Sequence, residues 1–270
     1  MEKQIATYNK ISAFDAIKIE PFDINKRYTK PHRHNKYLEL VYFQKGQGFH
    51  YMDEKCYSIT TPIFFFIWKE QVHHWEINTI PEGYVIIIKE EFLEKSFDKS
   101  LALLLTKLHD LQVTKVPEDP SINALFEILC REKKIGSPVQ KEVLEGSLKA
   151  LLAKIISYSK GMTNQSVDMV TKFTELLEEQ PRNNVGFYAE YLNTTAQNLN
   201  SLCKKRLSKT ASEVIAFHMI QETKRLLLYT DLSVAEISFN LDFKDTSHFI
   251  KYFKRQVGQT PLQFKKEAIS

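Results

Sequence analysis

The sequence predicts a multidomain α+β protein, in which an N-terminal β-barrel is followed by helices and then by an all-α domain. Its length of 270 residues exceeds the roughly 100–200 residues of a typical domain, which favours more than one. Aromatic and β-branched runs fill the first 90 residues, whereas helical spacing of apolar residues dominates the remainder. Hydrophobic residues at 43% and charged residues at 26% are ordinary for a globular chain and argue against disorder.

The N-terminal region, residues 1–90, has the pattern of strands separated by turns. The best strand candidates are Tyr37 to Phe43, Phe49 to Tyr51, Ile63 to Trp68 and Tyr84 to Ile88. Their regular spacing predicts a β-barrel or a β-sandwich. The longest apolar run, Ile63 to Trp68, is far too short to cross a bilayer, so no membrane partner is expected.

Two features bear on where the protein works. Residues Met1 to Lys10 are polar and lack the basic flank and apolar stretch of a secretory signal. The cysteines Cys56, Cys130 and Cys203 are odd in number and widely spaced, which favours reduced thiols over a disulfide framework or a zinc knuckle. We therefore predict a cytoplasmic protein.

Residues 91–163 are predicted to form helices, one of which follows Asp119. In the most regular stretch, steps of four and three separate Leu144, Leu148, Leu151, Ile155 and Tyr158. Such a seam packs either against the helix's own domain or against a second copy of the chain. We predict that it carries the contact of a homodimer. The polar stretch from Lys160 to Ser166 is predicted to separate this helical region from the last domain, residues 164–270.

The last domain reads as a string of short, well-capped helices that carry most of the positive charge. From Asn200 to Ser270 there are 12 Lys and Arg against 7 Asp and Glu, whereas the net charge of the whole chain is +4. This excess predicts a polyanionic partner. Asp245 is expected to cap one helix. Capping boxes are predicted at Thr210 with Glu213, Ser233 with Glu236, and Thr260 with Gln263.

Two stretches of this domain, about 50 residues apart, repeat the layout of a helix-turn-helix. The inward-facing residues are Tyr188, Ala189, Leu192, Leu199, Leu202 and Cys203 in the first stretch and Ile237, Ser238, Leu241, Phe249, Tyr252 and Phe253 in the second. Small residues are needed where two helices cross, which explains Ala189 and Ser238. Asn193 and Asp242 stand in the turns, where a positive φ is expected. The second turn is one residue longer.

These stretches resemble the C-terminal signature of the AraC-type (arabinose-regulator) transcription factors. The matching segments are, in order, Phe187 to Leu192, Lys224 to Leu227, Val234 to Ile237, Asp242 to Phe249, Phe253 to Arg255 and Gly258 to Phe264. The resemblance implies a sequence-specific DNA-binding transcription regulator that is not an enzyme and needs no cofactor. It also implies double-stranded DNA, a small-molecule effector, a second copy of the chain and RNA polymerase as partners.

The chain departs from the family pattern at several positions. Asp242 and Ser208 stand where glycine is usual, Ala211 where proline is usual, Cys203 where phenylalanine is usual, and Lys265 and Lys266 where an arginine is usual. We expect Asp242 to strain the second turn slightly. We expect the first unit to read DNA less stringently than the family pattern does, but none of these changes removes the fold.

The residues expected to contact DNA lie on the outward face of the second helix of each unit. Asparagine and glutamine bond bidentately to adenine, and basic residues near helix ends meet phosphates. In the second unit we assign Lys254 and Arg255 to the DNA backbone. The predicted set is Gln197, Asn198, Asn200, Ser201, Lys204 and Lys205 in the first unit and Ser247, His248, Lys251, Lys254 and Arg255 in the second.

A second resemblance lies near the N-terminus. His32-Arg33-His34, then Glu39 and Gly46, are similar to the first signature of cupin barrels, which form the ligand domain of many regulators of this family. The resemblance implies a ligand site formed by His32, Arg33, His34, Glu39, His73 and Trp75, in which the fourth member of the signature is His73 or His74. The second cupin signature is degraded, because Trp68 and Glu70 replace proline and glycine.

Three roles for the histidines stay open: ligand contact, structural hydrogen bonding, or a divalent transition metal. We predict that no metal is bound. The alternative function is a metal-dependent cupin oxygenase or isomerase with a helical appendage.

Overall fold

The computed structural model describes residues 5–13, 15–96, 98–108, 111–159, 169–207 and 209–269. It is an α+β structure with a sheet-rich N-terminal part and a helical C-terminal part. Two compact units are present, Met1–Lys95 with Lys107–Asn164, and Ser96–Thr106 with Gln165–Ser270. The predicted domain boundary, Lys160 to Ser166, lies outside the described residues. Within the described ranges, no helix has the length and apolarity to span a membrane.

The described residues of the N-terminal unit form ten strands. They are β1 (Ala6–Thr7), β2 (Ile17–Pro21), β3 (His32–Arg33), β4 (Tyr37–Lys45), β5 (Gln47–Met52), β6 (Lys55–Thr60), β7 (Ile63–Ile67), β8 (Val72–Ile77), β9 (Glu82–Lys89) and β10 (Val113–Lys115). They form two five-stranded sheets, in the orders β1-β3-β8-β5-β6 and β10-β7-β4-β9-β2. The β1–β3 pair is parallel, and the other pairs are antiparallel.

The two sheets share one apolar core. Trp75 and Met52 of the first sheet lie in the same buried cluster as Phe43 and Phe65 of the second. Within the described chain, the strands form two separate sheets rather than one closed barrel. All four predicted strands are confirmed, within β4, β5, β7 and β9, although β7 ends at Ile67 rather than Trp68.

Helices cover the other face of the second sheet. They are α1 (Glu90–Lys95), α3 (Pro120–Ile135) and α4 (Gln140–Ser159), whereas most of α2 (Lys99–Leu108) belongs to the other compact unit. Phe126 of α3 stacks on Tyr42 at 5.4 Å and on Tyr84 at 4.6 Å between ring centroids. This explains why β4 is buried from Tyr37 to Phe43 on both faces, and why its sequence is a continuous apolar run rather than an alternating one.

The leucine seam of α4 is part of this intramolecular core. Leu148, Leu151 and Ile155 are each 0% exposed, and Leu144 is 3% exposed. A side chain already buried in its own unit has no apolar surface left to offer a second copy of the chain. The prediction that this seam carries the dimer contact is therefore wrong. The spacing of apolar residues along α4 identifies the buried face of the helix, but it does not indicate which part of the protein buries that face.

From Met169 onward, the described residues of the C-terminal unit form seven helices. They are α5 (Met169–Glu179), α6 (Val185–Tyr191), α7 (Ala196–Leu207), α8 (Ala211–Tyr229), α9 (Val234–Asn240), α10 (Thr246–Val257) and α11 (Pro261–Ile269). The predicted capping boxes at Thr210 and Ser233 are confirmed, and Asp245 caps α10 as predicted. Thr260 and Gln263 exchange the same pair of hydrogen bonds at the start of α11.

Candidate nucleic-acid interface and histidine cluster

Two helical pairs in the C-terminal unit have the same turn. The first helical pair is α6 with α7, and the second is α9 with α10. Asn193 has a φ of 52° and Asp242 a φ of 58°, as the repeat predicts. In the first pair Thr194 N donates to Ala189 O at 2.8 Å, and in the second Phe243 N donates to Ser238 O at 3.1 Å. This is the bond that closes a helix end over a left-handed residue.

The inward faces of both pairs pack into one core. Tyr188, Leu199 and Cys203 are buried in the first pair, and Ile237, Leu241, Phe249, Tyr252 and Phe253 are buried in the second. Ala189 and Ser238 are 3% and 2% exposed. These small residues let the helices approach each other, as predicted. Leu192 and Leu202 are half-buried against the same core.

Most of the predicted DNA-contacting side chains face solvent. The exposed ones are Gln197, Asn198, Ser201, Lys204, Lys205, Ser247, His248, Lys251, Lys254 and Arg255. Asn200 is the exception in this set, because it is half-buried and Ala211 N donates to its Oδ1 at 2.9 Å. The last turn of α7 also contains Arg206, which is 8% exposed and does not belong to the predicted set.

Local contacts hold several of these exposed side chains in place. Asn198 Nδ2 donates to Thr194 Oγ1 at 2.8 Å, so this amide is tied to the turn before its helix. The Arg255 guanidinium lies 5.8 Å from the centre of the Tyr252 ring. The His248 ring lies 5.8 Å from the Phe243 ring. Because both anchoring rings are buried, the two outward groups on α10 are positioned by the core beneath them.

The second site is the histidine cluster, which we define as His32, His34, His50 and His73 together with Glu39. All five side chains are buried. His34 Nε2 lies 2.7 Å from His73 Nε2 and 2.8 Å from Glu39 Oε2. His50 Nε2 lies 3.0 Å from His73 Nδ1. Strands β3 and β8 pair with His32 opposite His73, which places these two rings side by side.

Two residues that the sequence analysis missed complete the cluster. Lys10 Nζ donates to both oxygens of Glu39, at 3.1 and 3.0 Å. The Tyr37 hydroxyl lies 2.8 Å from His34 Nδ1. His50 was missed as well. Lys10, Tyr37 and His50 do not stand at the spacing of a known motif, so no local signal in the sequence points to them.

Burial decides the ionisation of the cluster. It lowers the pKa of His50 and His73 well below the usual histidine value, and it lowers that of His32 to about 4. Burial opposes ionisation of Glu39 too, but the Lys10 ammonium and the neighbouring imidazoles hold the pKa of that carboxyl well below its usual range. The cluster therefore combines the Lys10–Glu39 ion pair with neutral imidazoles of His32, His50 and His73 at pH 7.

The cluster brings metal-ligating atoms together without the geometry of a metal site. Nitrogen atoms of His32, His34 and His73 all lie within 4.8 Å of one another. Two imidazoles on one tetrahedral metal ion stand about 3.3 Å apart, however, given bonds of ~2.0–2.1 Å. The 2.7 Å separation of His34 and His73 is a hydrogen bond instead. Lys10 already neutralises Glu39. A bound transition metal would have to replace the His34–His73 hydrogen bond and the Lys10–Glu39 ion pair that these residues make.

The other predicted ligand residues lie in different surroundings. Arg33 is exposed and pairs with Glu70 at 3.2 Å, so it points away from the cluster. Trp75 is 2% exposed and stacks on His50 with ring centroids 3.4 Å apart. Glu70, which replaces the usual glycine, has a φ of 66° and so retains the left-handed backbone of that position.

The comparisons with known proteins agree with the arrangement of the C-terminal helices. Residues 188–267 match the family model described as a helix-turn-helix domain. The HTH-type transcriptional activator RhaR of Enterobacter sp. (strain 638) is 22% identical over 260 residues, which is 87% of this chain and 86% of that protein. The xylose operon regulatory protein of Haemophilus influenzae is 32% identical over 81 residues, which is 30% of this chain and 21% of that protein.

Among solved structures, the C-terminal domain of the two-component response regulator yesN from Fusobacterium nucleatum subsp. nucleatum is similar to this chain. It is 25% identical, and the match covers 35% of this chain and 94% of that one with a TM-score of 0.33. The family match spans both helical pairs, from Tyr188 in α6 to Glu267 in α11. These comparisons thus support an AraC-type transcription regulator, with the helix-turn-helix match at residues 188–267.

Proposed function

We propose that both helical pairs are helix-turn-helix units and that the protein regulates transcription by binding a specific DNA sequence through both. The observation that carries the proposal is the repeated pair: two equivalent turns, each followed by a helix with a buried apolar face and an exposed polar one. The exposed polar face of α10 holds Lys251 for bases and Lys254 for phosphates. The same face of α7 holds Gln197 and Ser201 for bases and Lys204 for phosphates.

Helix α8 supports the spacing that this proposal needs. Its 19 residues span about 28 Å at ~1.5 Å per residue. Successive major-groove faces on one side of a duplex are roughly 34 Å apart. Recognition helices packed near the two ends of α8 can therefore enter successive grooves, with modest DNA bending making up the difference.

The test is a footprint of the full chain on DNA that it enriches from a random-sequence pool. We expect protection of two major-groove segments about one helical turn apart, each with base preferences when single positions are changed. Protection of a single segment would overturn the two-unit proposal. Equal affinity for every sequence would overturn the proposal of specific binding.

We also propose that residues 1–90 form a cupin-like sensor for a small molecule, with residues 91–163 linking it to the DNA-binding domain of residues 164–270. The pairing of β3 with β8 around the histidine cluster supports this, because it is where the cupin signature places its ligand residues. A ligand alters transcription only if it binds the DNA-competent and DNA-incompetent states with different affinity.

Small sugars and organic acids are the compounds to screen, by thermal shift of the full chain. A compound that raises the unfolding temperature of the wild type but not of the variant Glu39→Gln supports the sensor. Equal shifts in both proteins would place the ligand elsewhere. A homodimer and a contact with RNA polymerase remain proposals, and analytical ultracentrifugation of the full chain tests the first.

A further inference from the structure

The two recognition helices differ in how they meet the helix that follows them. From Leu199 to Thr210 and from Phe249 to Thr260 the two units correspond residue for residue at an offset of 50. Asn200 therefore corresponds to Ile250. By the same offset Ala211, the first residue of α8, corresponds to Pro261, the first residue of α11.

The first backbone N–H groups of a helix have no partner within the helix. At the start of α8 the capping box satisfies Glu213 N, and Val214 N donates to Thr210 O. Ala211 N donates to the side chain of Asn200 at 2.9 Å, and Ala211 is 0% exposed. The acceptor for Ala211 N is thus supplied by α7, and it serves an N–H group that water does not reach freely.

The second unit has no buried N–H group that needs an acceptor at the corresponding position. Pro261 has no N–H group, so the start of α11 needs no acceptor at this point. The residue in the place of Asn200 is Ile250, which is half-buried and packs against the helical core. At these two corresponding positions, the first unit therefore has an amide acceptor and an N–H donor, and the second unit has two apolar residues.

We infer that Asn200 is a positioning residue that fixes the first recognition helix against α8, rather than a residue that reads a base. A bidentate contact with adenine requires both ends of the amide to face the same base edge. The oxygen end of Asn200 is bound to α8. The base-reading positions of the first unit are then Gln197 and Ser201, with Ser201 corresponding to Lys251 of the second. This inference rests on the proposed DNA-binding function.

A double-mutant cycle in the full chain tests the pairing without DNA. Asn200→Ile leaves Ala211 N without an acceptor, so we expect the unfolding temperature of the C-terminal unit to fall by about 2–6 °C. Ala211→Pro is compatible with the extended Thr210 (φ −67°, ψ 159°), but it brings the proline ring against the Asn200 amide. With both changes the first unit has the same pair as the second, and we expect the unfolding temperature to recover to within about 1 °C of the wild type. If the effects of the two single changes simply add, the pairing is refuted.

The base-preference profile separates positioning from reading. The DNA is a sequence that the wild type enriches from a random pool. Binding of the Asn200→Ile/Ala211→Pro variant to this DNA is measured while each base pair is changed in turn. We expect the profile of the wild type, whereas the control Ser201→Ala should alter the preference at one base pair and leave the unfolding temperature unchanged. A profile altered at one base pair in the double variant would show that Asn200 reads that base. If the wild type enriches no sequence at all, the proposed function fails, while the thermal cycle still decides the pairing.

Discussion

Asn193 and Asp242 occupy the same point of two turns 49 residues apart along the chain, and both adopt the left-handed conformation, with φ of 52° and 58°. Each stands where a helix ends and a second one departs at an angle. A side chain in this conformation costs free energy that glycine does not.

The first prediction concerns these turns. We expect Asp242→Gly to raise the free energy of unfolding of the C-terminal unit by about 0.5–1 kcal/mol, because glycine adopts this φ without strain. The exposed ion pair of Asp242 with Arg182, at 3.7 Å, adds too little to reverse the sign. Glu190→Gly is the control, since it lies within α6 and should lower the free energy by a similar amount. Urea denaturation followed by circular dichroism measures both, and a loss of stability in Asp242→Gly would contradict the prediction.

The second prediction concerns α4. Leu148→Glu combined with Ile155→Glu should unfold the N-terminal unit rather than give a folded monomer, because both side chains are 0% exposed within one chain. Leu148→Ala alone should lower the free energy of unfolding by about 2–5 kcal/mol. Ala153→Glu is the matched control, because Ala153 is exposed on the same helix. Thermal unfolding and gel filtration distinguish the outcomes; a well-folded double variant would contradict the burial.

The third prediction separates two lysines of α10. Lys251→Ala should weaken binding to the enriched DNA by about 1–3 kcal/mol and relax the preference at one base pair. Lys254→Ala should weaken binding to all sequences alike and reduce the slope of log affinity against log salt by about one. Fluorescence anisotropy titrations at several salt concentrations measure both quantities. Identical behaviour of the two variants would contradict the assigned roles.

The fourth prediction concerns acid. A buried histidine with a lowered pKa binds fewer protons in the folded state than in the unfolded state, where its pKa is near 6.5. Its contribution to stability is therefore complete above about pH 6.5 and is lost as the pH falls towards the folded-state pKa, which is about 4 for His32. We expect the N-terminal unit to lose stability between pH 7 and pH 5, where Glu39 does not yet contribute to the loss.

A variant of His50 tests this assignment. His50→Phe removes one buried imidazole and keeps an aromatic ring next to Trp75, so the slope of stability against pH should decrease. His248→Ala, at an exposed position of the C-terminal unit, should leave the slope of the N-terminal unit unchanged. Urea denaturation at pH 7 and pH 5 gives the slopes. An unchanged slope in His50→Phe would assign the acid sensitivity to other groups.

The fifth prediction concerns metal. Protein purified without added metal should contain well under one transition-metal ion per chain, and a chelator should leave its unfolding temperature unchanged, because Lys10 and His73 already engage Glu39 and His34. Elemental analysis measures the content. Stoichiometric iron, zinc or manganese that disappears in the variant with His32→Ala and His34→Ala would contradict the prediction and revive the enzyme alternative.

The C-terminal helices could be predicted because their signals are local. A capping box such as Thr210 with Glu213 spans only four residues. Asn193 indicates a positive φ by its residue type alone, because asparagine adopts that conformation more readily than most residues do. The orientation of Asn200 could not be predicted in this way. Its position on the helix lies beside the buried face of Leu199 and Cys203, and only the tertiary fold places the start of α8 there.

The N-terminal sheets could be predicted only in part, because some of their strands depend on contacts between distant residues. Long apolar strands such as β4 and β7 are evident in the sequence, but β3 and β1 are two residues long and exist only through their partners. His34 and Glu39 are an odd number of residues apart, so on one continuous strand their side chains would point to opposite faces. The structure resolves this because the chain leaves the first sheet after Arg33 and enters the second at Tyr37, so His34 lies on the crossing.

Because its thiol is buried, Cys203 makes the opening of the first helical pair measurable by alkylation. Cys203 is 0% exposed, and burial raises the pKa of its thiol to about 12. Since the thiolate is the reactive form, this cysteine cannot be alkylated until the helix pair opens. Cys56 is exposed on β6 and reacts without opening. Once Cys56 is replaced by serine and Cys130 by alanine, the alkylation rate of Cys203 reports how often the first unit opens, and bound DNA should slow that rate.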